Sequence, residues 1–309
     1  MLIMYRTKNI QGTFLLIIFS FISLTCFAQF RSREIKWTAD GNGFYTAENN
    51  AIQKNNPKTG QQEVLATTAQ LTPAGHNKSL SVADFSLSPD NNIMLFFTNT
   101  ARVWRYNTRG DYWILNKRSG ELKQIGKDKP AQTLMYAKIS PDGKKVAYVS
   151  NRNIYVEDIA TGKTTALTTD GNRQLINGTF DWVYEEEFGC RDGFRWSSDS
   201  KQIAYWQVDA RQTRDYLMLN TTDSIYSFVI PVEYPKVGEP PSIVKIGIVS
   251  AEGGATKWMD IPGDPRQHYL PRMEWLADNS AVIAQQLNRK QNESKIFVCD
   301  PSTGAATNI

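Results

Sequence analysis

The chain has 309 residues, of which 41% are hydrophobic and 21% charged, and its 35 Lys and Arg against 31 Asp and Glu leave a net charge of +4. Those proportions describe an ordinary globular protein and exclude a disordered tail, a collagenous chain and a multispanning membrane protein. Three cysteines are too few for a disulfide scaffold, and the small, scattered excess of positive charge offers no nucleic-acid footprint.

The first element is an apolar run from Phe14 to Ala28, preceded by Arg6 and Lys8 and followed by Gln29, Arg31 and Arg33. A basic start, a short apolar stretch and small residues at Cys26 and Ala28 predict a secretory signal peptide over residues 1–28, with cleavage expected after Ala28. Two other readings stay open. One is an uncleaved anchor helix, although the run is slightly shorter than the roughly 20 apolar residues that span a bilayer. The other is lipid attachment at Cys26, where Thr25 stands in place of a Gly, Ala or Ser. Residues 1–28 hold two positive charges and no acids, so the 281 residues 29–309 keep a net +2. The expected location is outside the cytoplasm, periplasmic or extracellular.

Residues 29–309 repeat themselves. A turn with Asp at its end, followed by an apolar run, occurs at Lys36-Trp37-Thr38-Ala39-Asp40, Leu87-Ser88-Pro89-Asp90, Ile139-Ser140-Pro141-Asp142, Trp196-Ser197-Ser198-Asp199 and Trp275-Leu276-Ala277-Asp278. The aspartates step by 50, 52, 57 and 79 residues. Strands are predicted after them at Ile93–Phe97, Val146–Val149, Ile203–Trp206 and Ala281–Ala284, and a further strand ending in a glycine turn at Tyr112–Gly120, Ile154–Gly162 and Ile296–Gly304. Asp and Pro suit the early positions of tight turns and Gly supplies positive φ in the second. One repeat therefore encodes an antiparallel meander, and meanders of about 40–50 residues in series predict an all-β chain, a β-propeller of four-stranded blades. A β-sandwich is the alternative, but it does not explain why both turns return in the same order at one period. No run has the helical apolar period over three turns, so helices should be few.

Two stretches exceed the repeat, and such additions fall at blade ends, where loops on a rigid scaffold carry function. The longer lies around Asp209–Pro241; the other contains Asp181-Trp182-Val183-Tyr184-Glu185-Glu186-Glu187-Phe188. Three successive carboxylates read most simply as the solvated face of a short helix. Aromatic residues on both sides instead draw them toward a packed surface, where like charges repel unless a cation is expected, and an α-ammonium is one that two carboxylates hold through charge-assisted hydrogen bonds. Cys190 and Cys299 are far apart and His76 and His268 isolated, without metal-ligand spacing. The two thiols are either free or paired with each other, and His268 and Cys190 read as packing residues.

The segment Asp181–Glu187 resembles the double-Glu motif of the dipeptidyl peptidase IV family, serine exopeptidases of the prolyl oligopeptidase type. The resemblance extends in order through Val103-Trp104-Arg105-Tyr106, Phe194-Arg195-Trp196-Ser197 with Ile203-Ala204-Tyr205, Val232-Glu233-Tyr234-Pro235-Lys236-Val237-Gly238, and His268-Tyr269-Leu270 before Trp275. It implies a multi-bladed propeller that caps an α/β-hydrolase domain and restricts access to its active site. By motif match, Glu186 and Glu187 would bind the free N-terminus of a peptide and Arg105 would orient the substrate's carbonyls. A fixed anchor for the ammonium then sets the cleavage position by distance. Read without the resemblance, Arg105 fits a surface ion pair about as well. The partners implied are a peptide with a free N-terminus, the hydrolase domain and, in the full-length family, a second copy in a homodimer; no cofactor or metal is implied.

The chain departs from the family in one large respect, since Gly-x-Ser-x-Gly, the turn that presents the family's nucleophile, is missing. Five repeat signals stand against the family's eight blades, and the last repeat stops just after its Thr303-Gly304 turn. The expectation is an N-terminal portion of a secreted dipeptidyl peptidase, residues 29–309 ending inside the propeller, that gates substrate entry and recognises N-termini but lacks a catalytic triad and is inactive alone. The alternative is a stand-alone, non-catalytic propeller that binds peptides or a partner protein.

Overall fold

A computed structural model describes residues 35–48 and 51–309. The signal peptide expected over residues 1–28 lies outside the described residues, and no helix among those described is long and apolar enough to cross a membrane. Contacts divide the chain into two compact units, of which the larger, residues 47–53 with 64–309, contains every candidate site residue.

Among the described residues the strands group into five successive four-stranded meanders. The first comprises β1 (Lys36–Trp37), β2 (Phe44–Glu48), β3 (Ala51–Asn55) and β4 (Gln62–Ala66), in that order across the sheet. The second comprises β5 (Val82–Leu87), β6 (Ile93–Val103), β7 (Tyr106–Asn116) and β8 (Leu122–Ile125). In the third, β9 (Leu134–Ile139), β10 (Lys145–Ser150), β11 (Asn153–Asp158) and β12 (Thr164–Ala166) follow, joined to the second where Arg109 and Gly110 of β7 pair with Met135 and Leu134 of β9. β13 (Leu175–Asn177) and the helix α1 (Trp182–Phe188) precede the fourth meander, formed by β14 (Phe194–Trp196), β15 (Gln202–Asp209), β18 (Ile243–Ser250) and β19 (Lys257–Trp258). Between β15 and β18 the chain leaves the sheet as a hairpin, β16 (Asp215–Asn220) and β17 (Phe228–Glu233). The fifth comprises β20 (His268–Trp275), β21 (Val282–Asn288), β22 (Ser294–Cys299) and β23 (Ala306–Asn308).

The repeated aspartate turns join the first two strands of each meander, and four of the five share one chemistry. The hydroxyls of Thr38, Ser88, Ser140 and Ser197 donate to Asp40, Asp90, Asp142 and Asp199 at 2.5, 2.6, 2.6 and 2.7 Å. Each same oxygen accepts from a backbone N–H opening the next strand, that of Gly43, Ile93, Lys145 or Gln202. Leu276 replaces the hydroxyl residue in the fifth turn, where Asp278 instead accepts from Ser280. In the second kind of turn, Gly120, Gly162 and Gly304 adopt φ of 73, 71 and 89°, a left-handed conformation glycine enters without steric cost.

The middle strands decide between propeller and sandwich. Alternate residues of β10 go to different cores: Val146 and Tyr148 pack with Ile93, Leu95 and Ile114 of the second meander, while Ala147 and Val149 pack with Phe194, Ile203 and Tyr205 of the fourth. β15 repeats this, sending Ile203 and Tyr205 back to the third meander and Ala204, Trp206 and Val208 forward to Met273, Val282 and Phe297 of the fifth. A two-layer sandwich buries one face of each sheet; here the third and fourth sheets stack in series and bury both, as propeller blades do. This explains why Val146–Val149 and Ile203–Trp206 are continuous apolar runs rather than alternating ones. The tryptophans of the repeat bridge neighbouring blades: the indoles of Trp196 and Trp275 each donate at 3.2 Å, to the carbonyls of Lys138 and Arg195.

Two details differ from the sequence expectation. The last repeat does not stop at its Thr303-Gly304 turn, because Ala306–Asn308 suffice to form β23 and complete the fifth blade by pairing with β22. The stretch around Asp209–Pro241, read only as an addition to the repeat, contains the β16–β17 hairpin, whose Leu217, Leu219, Ile225, Tyr226 and Val229 are exposed apolar side chains. Cys190 and Cys299 are both buried and free.

The hydroxyl bonds in the turns hold Asp40 and Asp90 at a pKa of about 2, and that of Ser197 lowers Asp199. Because these folded-state values lie below the unfolded value of about 3.9, the stability they contribute is complete above about pH 4 and is lost as pH falls toward about 2. Urea midpoints measured from pH 7 to pH 2 should be flat to about 5 and then decline, and Ser88→Ala should lower the midpoint at pH 7 and make Asp90's share of the decline smaller. A midpoint unchanged between pH 5 and 2 would contradict this account.

Candidate functional site

Seven residues are too few for a helix to stand alone in water, so α1 owes its existence to its ends and its buried side. Asp181 caps the N-terminus, accepting the Tyr184 N–H at 3.1 Å, while its other oxygen accepts the Ser242 hydroxyl at 2.6 Å. Burial raises the pKa of this carboxyl, against the pull of the Ser242 and Tyr184 bonds. At the other end Gly189 turns left-handed at φ 65°, and its N–H and that of Cys190 close on the carbonyls of Glu185 and Tyr184.

Tyr184 is wholly buried among Phe180, Phe188 and Tyr269, with ring centroids 5.5, 5.4 and 6.0 Å away. Its hydroxyl accepts the backbone N–H of Leu270 in β20 at 3.0 Å. Arg272 of the same strand donates to the Phe188 carbonyl at 3.0 Å, the Cys190 thiol donates to Pro271 O at 3.3 Å, and Trp182 lies against Tyr234 at 4.2 Å. His268 is also buried and bonded to Gln286. The helix is thereby fixed to the fifth blade through one face, which leaves its carboxylates on the other.

Those carboxylates meet the tip of the β6–β7 hairpin. β6 and β7 have 11 residues each, against six in β10 and β11, and the extra length carries Arg105 to the helix. Arg105 Nη2 lies 3.0 Å from Glu186 Oε2, the arginine side chain 72% exposed and the glutamate 20%. Glu185 accepts from Arg191 Nε at 3.1 Å, and the Arg191 guanidinium covers the Tyr106 ring at 4.0 Å. Glu187 is exposed and has no ion-pair partner among the described residues. Of the three residues expected at the site, Arg105 and Glu186 are therefore in contact and Glu187 follows them on the helix. Sequence reasoning missed Arg191 and the pairing of Glu185, which no local signal marks, and it missed the cap, for which an Asp three residues ahead of Tyr184 is the signal.

A family profile described as "Dipeptidyl peptidase IV (DPP IV) N-terminal region" matches residues 88–309. The pig protein dipeptidyl peptidase 4 is 30% identical over 289 residues, covering 87% of this chain and 36% of that protein. Rat inactive dipeptidyl peptidase 10 is 25% identical over 280 residues, covering 89% of the chain and 34% of that protein. The crystal structure of Porphyromonas gingivalis dipeptidyl peptidase 4 superposes with a TM-score of 0.82 at 26% identity, covering 90% of this chain and 39% of that one. The chain spans about a third of the length of the curated relatives it matches.

The anchoring of α1 is testable by itself. Tyr184→Phe leaves the Leu270 N–H buried without an acceptor, a cost of about 1–3 kcal/mol, and Asp181→Ala removes a cap at about 0.5–2 kcal/mol. Both should lower the urea midpoint, while Glu187→Gln should leave it within about 0.5 kcal/mol of the original; equal midpoints for all three would remove the anchoring role.

Proposed function

The chain belongs to the dipeptidyl peptidase IV N-terminal-region family, and on that premise we propose that it is the propeller portion of an exported serine dipeptidyl peptidase, gating entry and binding the free N-terminus of a peptide. Glu186 and Glu187 take the α-ammonium and Arg105 the adjacent backbone carbonyls. The observation that supports this most is the contact between Arg105 and Glu186, which joins two segments far apart in sequence that the motif match had assigned to one site. A pair so exposed adds little to stability, so the fold does not explain it.

Chemically, the arrangement suits a cation that arrives already oriented. In the free protein Arg105 partly neutralises Glu186, while Glu187 stays open to solvent. An entering ammonium donates up to three hydrogen bonds and is shared by the two carboxylates, each bond charge-assisted. Arg105 then exchanges part of its contact with Glu186 for substrate carbonyl oxygens. Because α1 is fixed at both ends and along its buried face, the ammonium position is fixed too. Such an anchor serves as a ruler that brings one bond of the peptide, counted from its N-terminus, to a reacting group.

Isothermal titration of a Pro-containing peptide and its N-acetylated twin tests the reading. The free peptide should bind at least tenfold more tightly, and Glu186→Gln or Glu187→Gln should reduce that ratio severalfold. Equal affinity of the two peptides would overturn it. The same reading includes a homodimer, for which the exposed Leu217 and Leu219 on the β16–β17 hairpin offer an apolar surface. Sedimentation should then show a dimer that Leu217→Asp converts to monomer, and a monomer at all concentrations would remove this part.

A further inference from the structure

A cavity of about 410 Å3 opens beside the candidate site, within the ~300–1,000 Å3 of small-ligand sites. Trp104 and Glu185, the chain neighbours of Arg105 and Glu186, form part of its wall. Four arginines line it, and they differ in what they touch. Arg173 makes a two-pronged pair with Asp215 at 2.9 and 3.0 Å and also contacts Glu233. Arg191 is held by Glu185. The guanidiniums of Arg109 and Arg152 have no hydrogen-bond or ion-pair partner among the described residues.

The cavity's own carboxylates do not fill that role. Glu185 and Glu233 are engaged by Arg191 and Arg173, and Asp181 is buried under the helix cap with Ser242. Desolvation holds the Arg152 pKa below the ordinary guanidinium value; Glu233 opposes the shift, and the like charges of Arg173 and Arg109 add to it. The positive charge left unpaired in the cavity therefore rests on Arg109 and Arg152.

The backbone bears a cost to put Arg152 there. Asn151 and Arg152 form the two-residue turn between β10 and β11 with φ of 49 and 58°, the type I′ geometry whose second position favours glycine. Arginine in that left-handed position is disfavoured by roughly 1–2 kcal/mol relative to glycine. The turn is rigidly held, since the Arg152 carbonyl accepts from the Asn177 backbone at 3.1 Å and its side chain at 3.3 Å. Trp104 and Tyr136, also on the cavity wall, are left-handed at 54 and 53°. Strain collected around a cavity is a mark of sites where a side chain's position matters more than the stability it costs.

We propose that this cavity is a subsite for a carboxylate carried by the bound peptide beyond its N-terminus, held by Arg109 and Arg152, so that acidic peptides are the preferred class. Guanidinium pairs with carboxylate in two parallel hydrogen bonds, and the flanking Trp104, Tyr136 and Trp182 offer apolar faces for the intervening peptide. The inference rests on the reading that Glu186 and Glu187 hold the N-terminus.

The experiment is a calorimetric titration of the full chain with hexapeptides bearing Glu at the third, fourth or fifth position, each beside its Gln counterpart, as C-terminal acid and C-terminal amide, and with free and acetylated N-termini. At least one Glu peptide should bind about tenfold more tightly than its Gln counterpart; if instead the acid-to-amide change carries the difference, the carboxylate is the peptide's C-terminus. Arg109→Gln and Arg152→Gly should each bring that ratio close to one, and Arg152→Gly should do so without lowering the thermal midpoint, a combination a merely structural arginine does not give. Ratios near one in the unaltered chain, or ratios that survive both substitutions, overturn the proposal. Loss of the acetylation effect with the carboxylate effect intact would overturn the N-terminal anchor and leave this subsite standing.

Discussion

The third and fourth blades depend on sheets that bury both faces. A middle strand such as β10 sends alternate side chains into two different cores, so neither the third nor the fourth blade completes its own packing and both are stabilised by their neighbours. Hydrophobic burial is proportional to the apolar area removed from water, and a sheet covered on one face only would leave half of these side chains exposed. Blades must therefore stack in series, and the tryptophans that reach from one blade to a carbonyl of the preceding one hold that stacking in register.

Such an array places its functional groups at the ends of blades, where insertions leave the packed faces undisturbed. α1 is one insertion and the long β6–β7 hairpin another, and their meeting brings Arg105 to Glu186. The helix has little stability of its own. Its buried side is committed to the fifth blade through Tyr184 and Phe188, and its N-cap to Ser242 in the fourth. Rigidity at the carboxylates is thus borrowed from two blades.

Charge around the site is divided with some economy. Glu185 and Arg191 satisfy one another, as do Arg173, Asp215 and Glu233. What remains open is Glu187 on the helix and, in the cavity beside it, Arg109 with Arg152.

Much of this was legible in the residues themselves. The Ser-x-Asp and Asp/Asn…Gly turns fix where a strand ends and reverses, because their side chains bond to backbone groups within the same few residues; a local cause leaves a local record, and the meander could be counted from it. The family resemblance pointed to Arg105, Glu186 and Glu187. The contact of Arg105 with Glu186, the pairing of Arg191 with Glu185, the two-faced packing that separates propeller from sandwich, and the unpartnered Arg109 and Arg152 belong to the tertiary structure alone. Each joins segments separated by whole strands or blades, and which of those segments meet is decided by how sheets stack, a property that no run of neighbouring residues contains.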